Sequence, residues 1–514
     1  MDSLFQKRMV TISIMLATIM QALDTTIANV ALPHMQGSLS ATQEQATWIL
    51  TSYIVAAAIM TAPVGILAAR LGRKRLFMIS VVGFTLASIL CGTATGLIEM
   101  VIFRLLQGVF GAALVPLSEA VLLDINPKEK HGQAMAMWGV GVMLGPILGP
   151  TLGGWLTEYY NWRWVFYINV PIGIAAFMGM WVFMKETEKK PERKFDVFGF
   201  VLLALSIGAV QMMLDRGQNL DWFSSTEIIA EAVLAGSAFY LFIVHILTAK
   251  SQPFLEPAMF KDRNYAVCLA LMFVVGIILL ASMALLPPFL QNLMGYPVLL
   301  TGMVLAPRGV GVMVAMMLVG RLVGKIDARW LILFGLLLTA FSLHEMSLFN
   351  TEIPVSTLVY TGIIQGFGMG FVFVPLSTLA YATLDPHYRN DATAIFSLVR
   401  NIGSSVGISI VIALLAHNTQ VSHSDLVSHL LPFGNTQHIV SAYTGSISGM
   451  EGTTALAFLN AEVTKQASTI AYLNDFLLMM YVVLFSVPLL ALLHKRKNPE
   501  TPDELADEIA TAIE

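Results

Sequence analysis

The sequence predicts an all-α polytopic membrane protein, and three observations carry that prediction. Of 514 residues, 56% are hydrophobic and only 12% are charged, about half the charged share of a soluble domain. Mean hydropathy is +0.73. Fourteen apolar runs are long enough to cross a ~30 Å hydrocarbon layer as helices. The net charge of −4 decides little, because placement matters more. The two cysteines, Cys91 and Cys268, sit in apolar runs and read as small packing residues, with no disulfide framework or zinc pattern.

The first run, 9–33, is apolar for fifteen residues and then places Asp24 inside it, flanked by Gln21, Thr25, Thr26 and Asn29. It shows no clear cleavage site, so it reads as a span and not a secretory signal. Asp24 lies ~13 Å from Pro33 along a helix, deep in the hydrocarbon. A carboxylate there must face protein or water, and such residues mark ion or substrate paths. Runs 47–69 and 76–96 flank the basic turn GILAARLGRKR (65–75). The run 98–122 carries Arg104 and Gln107, ~9 and ~13 Å deep, so Arg104 and Asp24 occupy the same leaflet and are placed to pair. Such a pair is either a static bridge or, because burial and a nearby cation pull a carboxyl in opposite directions, a group that loads and releases a proton.

The run 133–156 reads WGVGVMLGPILGPTLGGW. Gly141, Gly145, Gly149 and Gly153 recur every four residues on one face, which lets a neighbouring backbone approach. Pro146 and Pro150 loosen its ladder. The stripe reads as plain tight packing, the helix as a flexible, close-packed element between the two halves, and the two readings are compatible. The run 164–184 is followed by a charged linker, KETEKKPERKFD (185–196). Further runs fall near 197–215, 227–248, 265–289, 299–323, 330–349, 355–380, 393–416 and 471–493. The polar stretch 417–470 reads as one long external loop, with a helix plausible around 455–467. Its His417, His423, His429 and His438 share no helical face and read as ordinary loop residues.

All but six of the 29 Lys and Arg residues fall in segments on one side of this arrangement. Arg163, Arg216 and Lys465 lie on the other side; Arg104, Arg308 and Arg400 lie inside runs. The positive-inside rule makes the rich side cytoplasmic, with both termini there. The chain also repeats. LLQGVFGAALVPLS (105–118) resembles IIQGFGMGFVFVPLS (363–377), GILAARLGRKR (65–75) resembles GRLVGKIDAR (320–329), and the glycine-rich fifth run has a counterpart in RNIGSSVG (400–407). A 6+2+6 plan follows: a six-helix half in 1–184, the linker and two inserted helices in 185–248, a second half in 249–494 and a tail in 495–514. Parallel halves with a site at their interface are a common transporter plan.

Composition excludes several classes. No phosphate loop, nucleophile motif or metal cluster supports an enzyme. No Walker sequence supports an ATP-driven pump, and no soluble signalling domain or nucleic-acid motif is present. The 29 Met and 29 Phe suit an adaptable cavity as well as lipid-facing filler. Phe289, Gln291, Gln365, Phe371, Phe373 and Phe396 are candidates for such a cavity, with Gln21, Asn29 and Gln107. Arg308 and Arg400 are buried cations suited to anionic substrates or internal carboxylates.

Taken together, LDTTIANVALP (23–33), RLLQGVFGAA (104–113), GPILGPTLGG (145–154), NWRWVFYINVPIG (161–173) and LDRGQNLDWFSS (214–225) resemble the major facilitator superfamily, in its fourteen-helix drug:proton antiporter branch. The likeness covers nearly the whole chain. It implies the major facilitator fold and inner-membrane export of hydrophobic or amphipathic compounds against inward proton flow, without a cofactor. It gives Arg104 a part in proton transfer, beside Asp24, whose place inside the first run marks it as the proton-coupling carboxylate. In such systems a periplasmic adaptor and an outer-membrane channel complete the path. A physiological metabolite, such as a fatty acid or siderophore, is the alternative cargo. The family's Gly-x-x-x-Asp-Arg-x-Gly-Arg turn is matched by Gly65, Arg70, Gly72 and Arg73, but Ala69 replaces the aspartate. Glu119 and Asp124 are the carboxylates placed to meet Arg73 instead.

Overall fold

The computed structural model describes residues 4–41, 43–127, 130–187, 195–218, 220–248, 257–429 and 452–493. Thirteen helices there are long and apolar enough to span a membrane, and one bent pair makes a fourteenth. In chain order they are α1 (Leu4–Ser38), α2 (Gln43–Thr61, continued as Val64–Leu71), α3 (Arg73–Thr93), α4 (Leu97–Ile125), α5 (His131–Tyr159), α6 (Trp164–Phe183), α7 (Val197–Arg216) and α8 (Thr226–Thr248). They continue with α9 (Arg263–Pro288), α10 (Val298–Leu322), α11 (Ala328–Met346), α12 (Val355–Ala380), α13 (Arg389–His429) and α14 (Gly452–Ser486).

Helices α1 to α6 pack on one another, as do α9 to α14, and each set buries an apolar interior. α7 pairs with α8, and touches α2 and α13. α8 leaves Val233, Phe239, Tyr240 and Leu247 bare, as a lipid-facing helix does. Local chemistry sets the breaks. The two pieces of α2 meet at a 58° bend just before Pro63, which lacks the N–H a continuous ladder needs. Pro287 and Pro288 end the regular part of α9, and a π-turn follows at Phe289–Leu293. Gly72, between α2 and α3, has φ of +88°, a conformation that costs a side-chain-bearing residue more than glycine.

The polar stretch 417–470, expected as a loop, is helical where it is described. α13 continues to His429 and α14 begins at Gly452; residues 430–451, with His438, lie outside the described residues. An apolar run ends where lipid ends, whereas a helix ends only where its ladder is broken, and nothing in 417–429 breaks it. The two polar extensions are joined by His423 Nε2 and Asn460 Oδ1, 3.0 Å apart.

The two six-helix sets meet from one end of the bundle to its middle, where Gly309 of α10 abuts Ile147 of α5. There α5 runs along α10, with Gly132 against Val323, Ala136 against Gly320 and Gly139 against Met316. Trp138 of α5 stacks on Phe373 of α12 at 5.7 Å between ring centroids, and α2 meets α13 where Gly65 abuts Asp391.

Candidate functional site

Asp24 is fully buried and sits at the centre of a polar network drawn from five helices. Its Oδ2 accepts from Arg104 Nη1 at 2.7 Å. Its Oδ1 accepts from Gln107 Nε2 and from Asn169 Nδ2, each at 2.8 Å. Arg104 also donates to Gln107 Oε1 at 2.7 Å and to the Ile49 carbonyl at 3.1 Å. Its guanidinium lies over the Tyr53 ring, 4.5 Å from the centroid, a cation–π contact. Ser88 Oγ accepts from Gln107 and Asn169. Gln21 donates to the Tyr53 hydroxyl at 3.0 Å.

Behind this site α5 comes close to α1. A Cβ on Gly145 would run into the backbone of Ala22, and one on Gly149 into Thr26. The Thr26 hydroxyl bonds the Gly145 carbonyl at 3.0 Å. Ala22 and Thr26 lie two residues to either side of Asp24 and share a face opposite to it, so the glycine stripe backs α1 on the side turned away from the carboxylate. Gly141 likewise abuts Met15 of α1. The stripe therefore packs within the first six-helix set. A different face of α5 meets α10. Gly153 is buried, and α5 stays helical through Pro150.

A second polar group lies where the sets meet. Arg73 pairs with Asp124, and the Glu186 carboxylate caps the start of α3 through the amides of Lys74 (3.1 Å) and Arg75 (3.2 Å), a favourable place for an anion. Arg70 is exposed. Glu119 does not meet Arg73. It is buried in α4 and accepts from the Tyr381 hydroxyl of α12 at 3.2 Å, across the two sets. A Cβ at Gly65 would collide with Asp391 of α13, so a carboxylate from the opposite set stands one turn from Ala69.

The cavity candidates part company. Gln21 and Gln107 belong to the Asp24 network, and Asn29 is exposed one turn beyond Thr25. Phe289 and Phe396 are corrected: both are fully buried packing rings. Phe289 meets Phe349, Tyr472 and Phe476, and Phe396 meets Tyr381. Phe371 packs on Phe334 and Phe367. Phe373 is taken up by Trp138, Gln291 is half-buried, and Gln365 is fully buried. The sequence reading missed Asn169, Ser88 and Tyr53. It also passed over Asp475 of α14, buried with no hydrogen-bond partner on either oxygen among the described residues, although a carboxylate in the run AYLNDFLLMM carried the same signal as Asp24.

Two six-helix sets joined by a helix pair, with ionised side chains held inside the spans, make this a solute transporter and not an enzyme. The sequence model of the Major Facilitator Superfamily matches residues 14–408, and the chain belongs to that superfamily. It is 35% identical to the fatty acid resistance protein FarB of Neisseria gonorrhoeae over 94% of this chain and 95% of FarB. It is 34% identical to the multidrug export protein EmrB of Escherichia coli K12, over 93% of this chain and 95% of EmrB. The fold is shared with the human organic anion transporter MFSD10 (TM-score 0.60, 14% identity, covering 93% of this chain and 99% of MFSD10). It is shared equally with the proton:xylose symporter XylE (TM-score 0.59, 14% identity, 93% and 95%).

Proposed function

We propose that the chain exports hydrophobic or amphipathic toxic compounds across the inner membrane in exchange for protons, with Asp24 as the proton-carrying group. The observation that carries this reading is the Asp24 network. An ionised carboxylate is taken out of water and held by three donors, one of them a guanidinium. Protonation removes the charge that Arg104 answers, so the proton state of Asp24 biases how α1, α4 and α6 pack. A proton can reach it only in a state where the network opens. Linked occupancy of proton and cargo is the thermodynamic requirement of exchange. The relatives named for drug export and fatty acid resistance support the cargo class.

The two six-helix sets act in this reading as the moving halves, and both termini are cytoplasmic. The excess of Lys and Arg on that side supports the orientation. It makes the end where Arg73, Glu119 and Asp391 gather the cytoplasmic end, closed here. The extensions of α13 and α14 then project on the outer side, and offer the surface for a periplasmic adaptor that hands cargo to an outer-membrane channel. The test is efflux from proteoliposomes under an imposed pH gradient. Asp24→Asn, inserted at wild-type level, is expected to lose gradient-driven efflux. Retained active efflux would rule the assignment out.

A further inference from the structure

Arg104 is held by more than its counter-ion. Its Nε donates to the Ile49 carbonyl of α2 at 3.1 Å, and its Nη1 reaches Gln107 Oε1 of its own helix as well as Asp24. Two aromatic rings also lie within cation–π reach of the guanidinium carbon. Tyr53 of α2 stands 4.5 Å away and Phe166 of α6 5.7 Å away, measured to the ring centroids. Both rings are buried, as Arg104 is. A cation–π contact gains strength when the cation is out of water, and the face of a ring takes up no proton. These contacts therefore hold the cation whether or not a carboxylate beside it is charged.

The sequence of α4 builds this seat. In RLLQGVFG (104–111), Arg104, Gly108 and Gly111 recur at i, i+4 and i+7, so they share one helix face. A Cβ on Gly108 would stand 2.5 Å from the Tyr53 carbonyl oxygen, and one on Gly111 3.0 Å from the Tyr53 hydroxyl. The two glycines let α2 lie close enough for the Tyr53 ring to cover Arg104. Asp24 has no comparable second anchor. Its hydrogen bonds among the described residues come from Arg104 and Gln107 of α4 and Asn169 of α6. Protonation of Asp24 weakens what ties α1 to this group, because a bond to a charged acceptor is the stronger kind. The contacts that tie Arg104 to α2, α4 and α6 are left as they were.

We propose that Tyr53 and Phe166 are positioning residues that keep Arg104 in its seat when Asp24 is neutral, so that proton loading loosens α1 and leaves Arg104 in place. This rests on Asp24 as the proton-carrying group for its part in exchange. A buried guanidinium stripped of its counter-charge is otherwise drawn toward water. An Arg104 that swung away would have to be stripped of water again in every cycle. Seated against two rings, it presents the same charge to α1 throughout, and Asp24 returns to a waiting cation once its proton has gone.

The test is labelling by phenylglyoxal, an arginine reagent, of the full chain in phosphatidylcholine nanodiscs, with modification of Arg104 followed by peptide mass spectrometry. Its rate reads the fraction of chains in which Arg104 has left its seat. Asp24→Asn stands in for the neutral acid. Arg104 is expected to stay protected in the wild type and in Asp24→Asn. Adding Tyr53→Leu to Asp24→Asn removes the nearer ring and should speed labelling roughly 10- to 30-fold, as loss of a desolvated cation–π contact does. Adding Tyr53→Phe instead keeps the ring and should keep the protection. Tyr53→Leu alone should also stay protected, because the charged Asp24 still holds the cation, whereas a simple packing defect would expose Arg104 in both backgrounds. Phe166→Leu, whose ring stands farther off, should repeat the pattern with a smaller change, and decides the matter should the Tyr53→Leu chains fail to insert. Labelling in Asp24→Asn with both rings present, protection with the nearer ring removed, or equal labelling of Tyr53→Leu in both backgrounds overturns the proposal. Gradient-driven efflux that survives Asp24→Asn would sink the export reading alone, because the labelling is measured without transport.

Discussion

Asp24→Asn removes one charge from a closed network, and the structure sets what that costs. Three donors end on the carboxylate at 2.7, 2.8 and 2.8 Å. Asparagine offers one acceptor oxygen and turns an N–H₂ toward groups that are themselves donors. Arg104, 1% exposed, then has no counter-charge. Breaking a buried pair from one side costs about 3–5 kcal/mol, or roughly two to three and a half orders of magnitude in the folding equilibrium. Replacing both partners leaves no stranded charge, so Asp24→Asn/Arg104→Gln should lie within about 1 kcal/mol of the wild type. Unfolding in mixed micelles reads both variants, and the double should be more stable than Asp24→Asn by about 2–4 kcal/mol. Both variants should fail at gradient-driven efflux in proteoliposomes, because neither holds an exchangeable carboxyl. Wild-type stability in Asp24→Asn would show that the pair does not hold the first six-helix set together. A double variant that exports against a gradient would remove Asp24 from the coupling.

Other changes follow from the same geometry. Gly149→Leu drives a branched side chain into Thr26 beside Asp24, and should block counterflow in proteoliposomes at matched expression. Gly149→Ala should cost about 1–3 kcal/mol, partly recovered by Thr26→Ala, and normal flux in the leucine variant would show that α5 and α1 need no close contact. Tyr381→Phe removes the hydroxyl that reaches Glu119 across the two sets, so disulfide trapping between cysteines at Ala136 and Gly320 should slow, and an unchanged rate would deny the bond a part in closure. Asp475→Leu deletes two unpartnered buried oxygens and should stabilise by about 1–3 kcal/mol, whereas a loss of stability would mean that Asp475 has a partner in the membrane-embedded protein.

The spans were legible because hydrocarbon selects for them directly, and the Asp24–Arg104 pair was legible because a rise of ~1.5 Å per residue places both in one leaflet. Asn169 and Ser88 were not. Small polar side chains inside spans commonly bond their own backbone, as Thr18 does here to the Ile14 carbonyl at 2.9 Å, so sequence gives no reason to send these two to Asp24. The glycine stripe told that a face is flat, and could not tell whether α1 or α10 covers it. The phenylalanines were indistinguishable for the same reason: Phe373 and Phe289 have like neighbours in sequence, yet one stacks across the two sets and the other closes an aromatic cluster inside one of them. The length of α13 was hidden by the fall in hydropathy at His417, which marks the edge of lipid and not the end of a ladder.

α5 ties these pieces together because it presents small residues on two faces. Gly141, Gly145 and Gly149 lie on α1, around the turns that hold Asp24. Gly132, Ala136 and Gly139 lie on α10, where the six-helix sets meet. The helix between them is continuous, and helices move as rigid units more readily than they stretch. A change in how α1 seats against α5 at Thr26 therefore has a direct mechanical route to the contact with Met316 and Gly320. The carboxylate and the inter-set contact need no chain of relayed charges to sense one another, and none runs through position 69, where alanine stands. In the proposed exchange, lateral displacement of one helix, set by whether Arg104 still has an anion to hold, would link the state of Asp24 to the face on which the two sets meet.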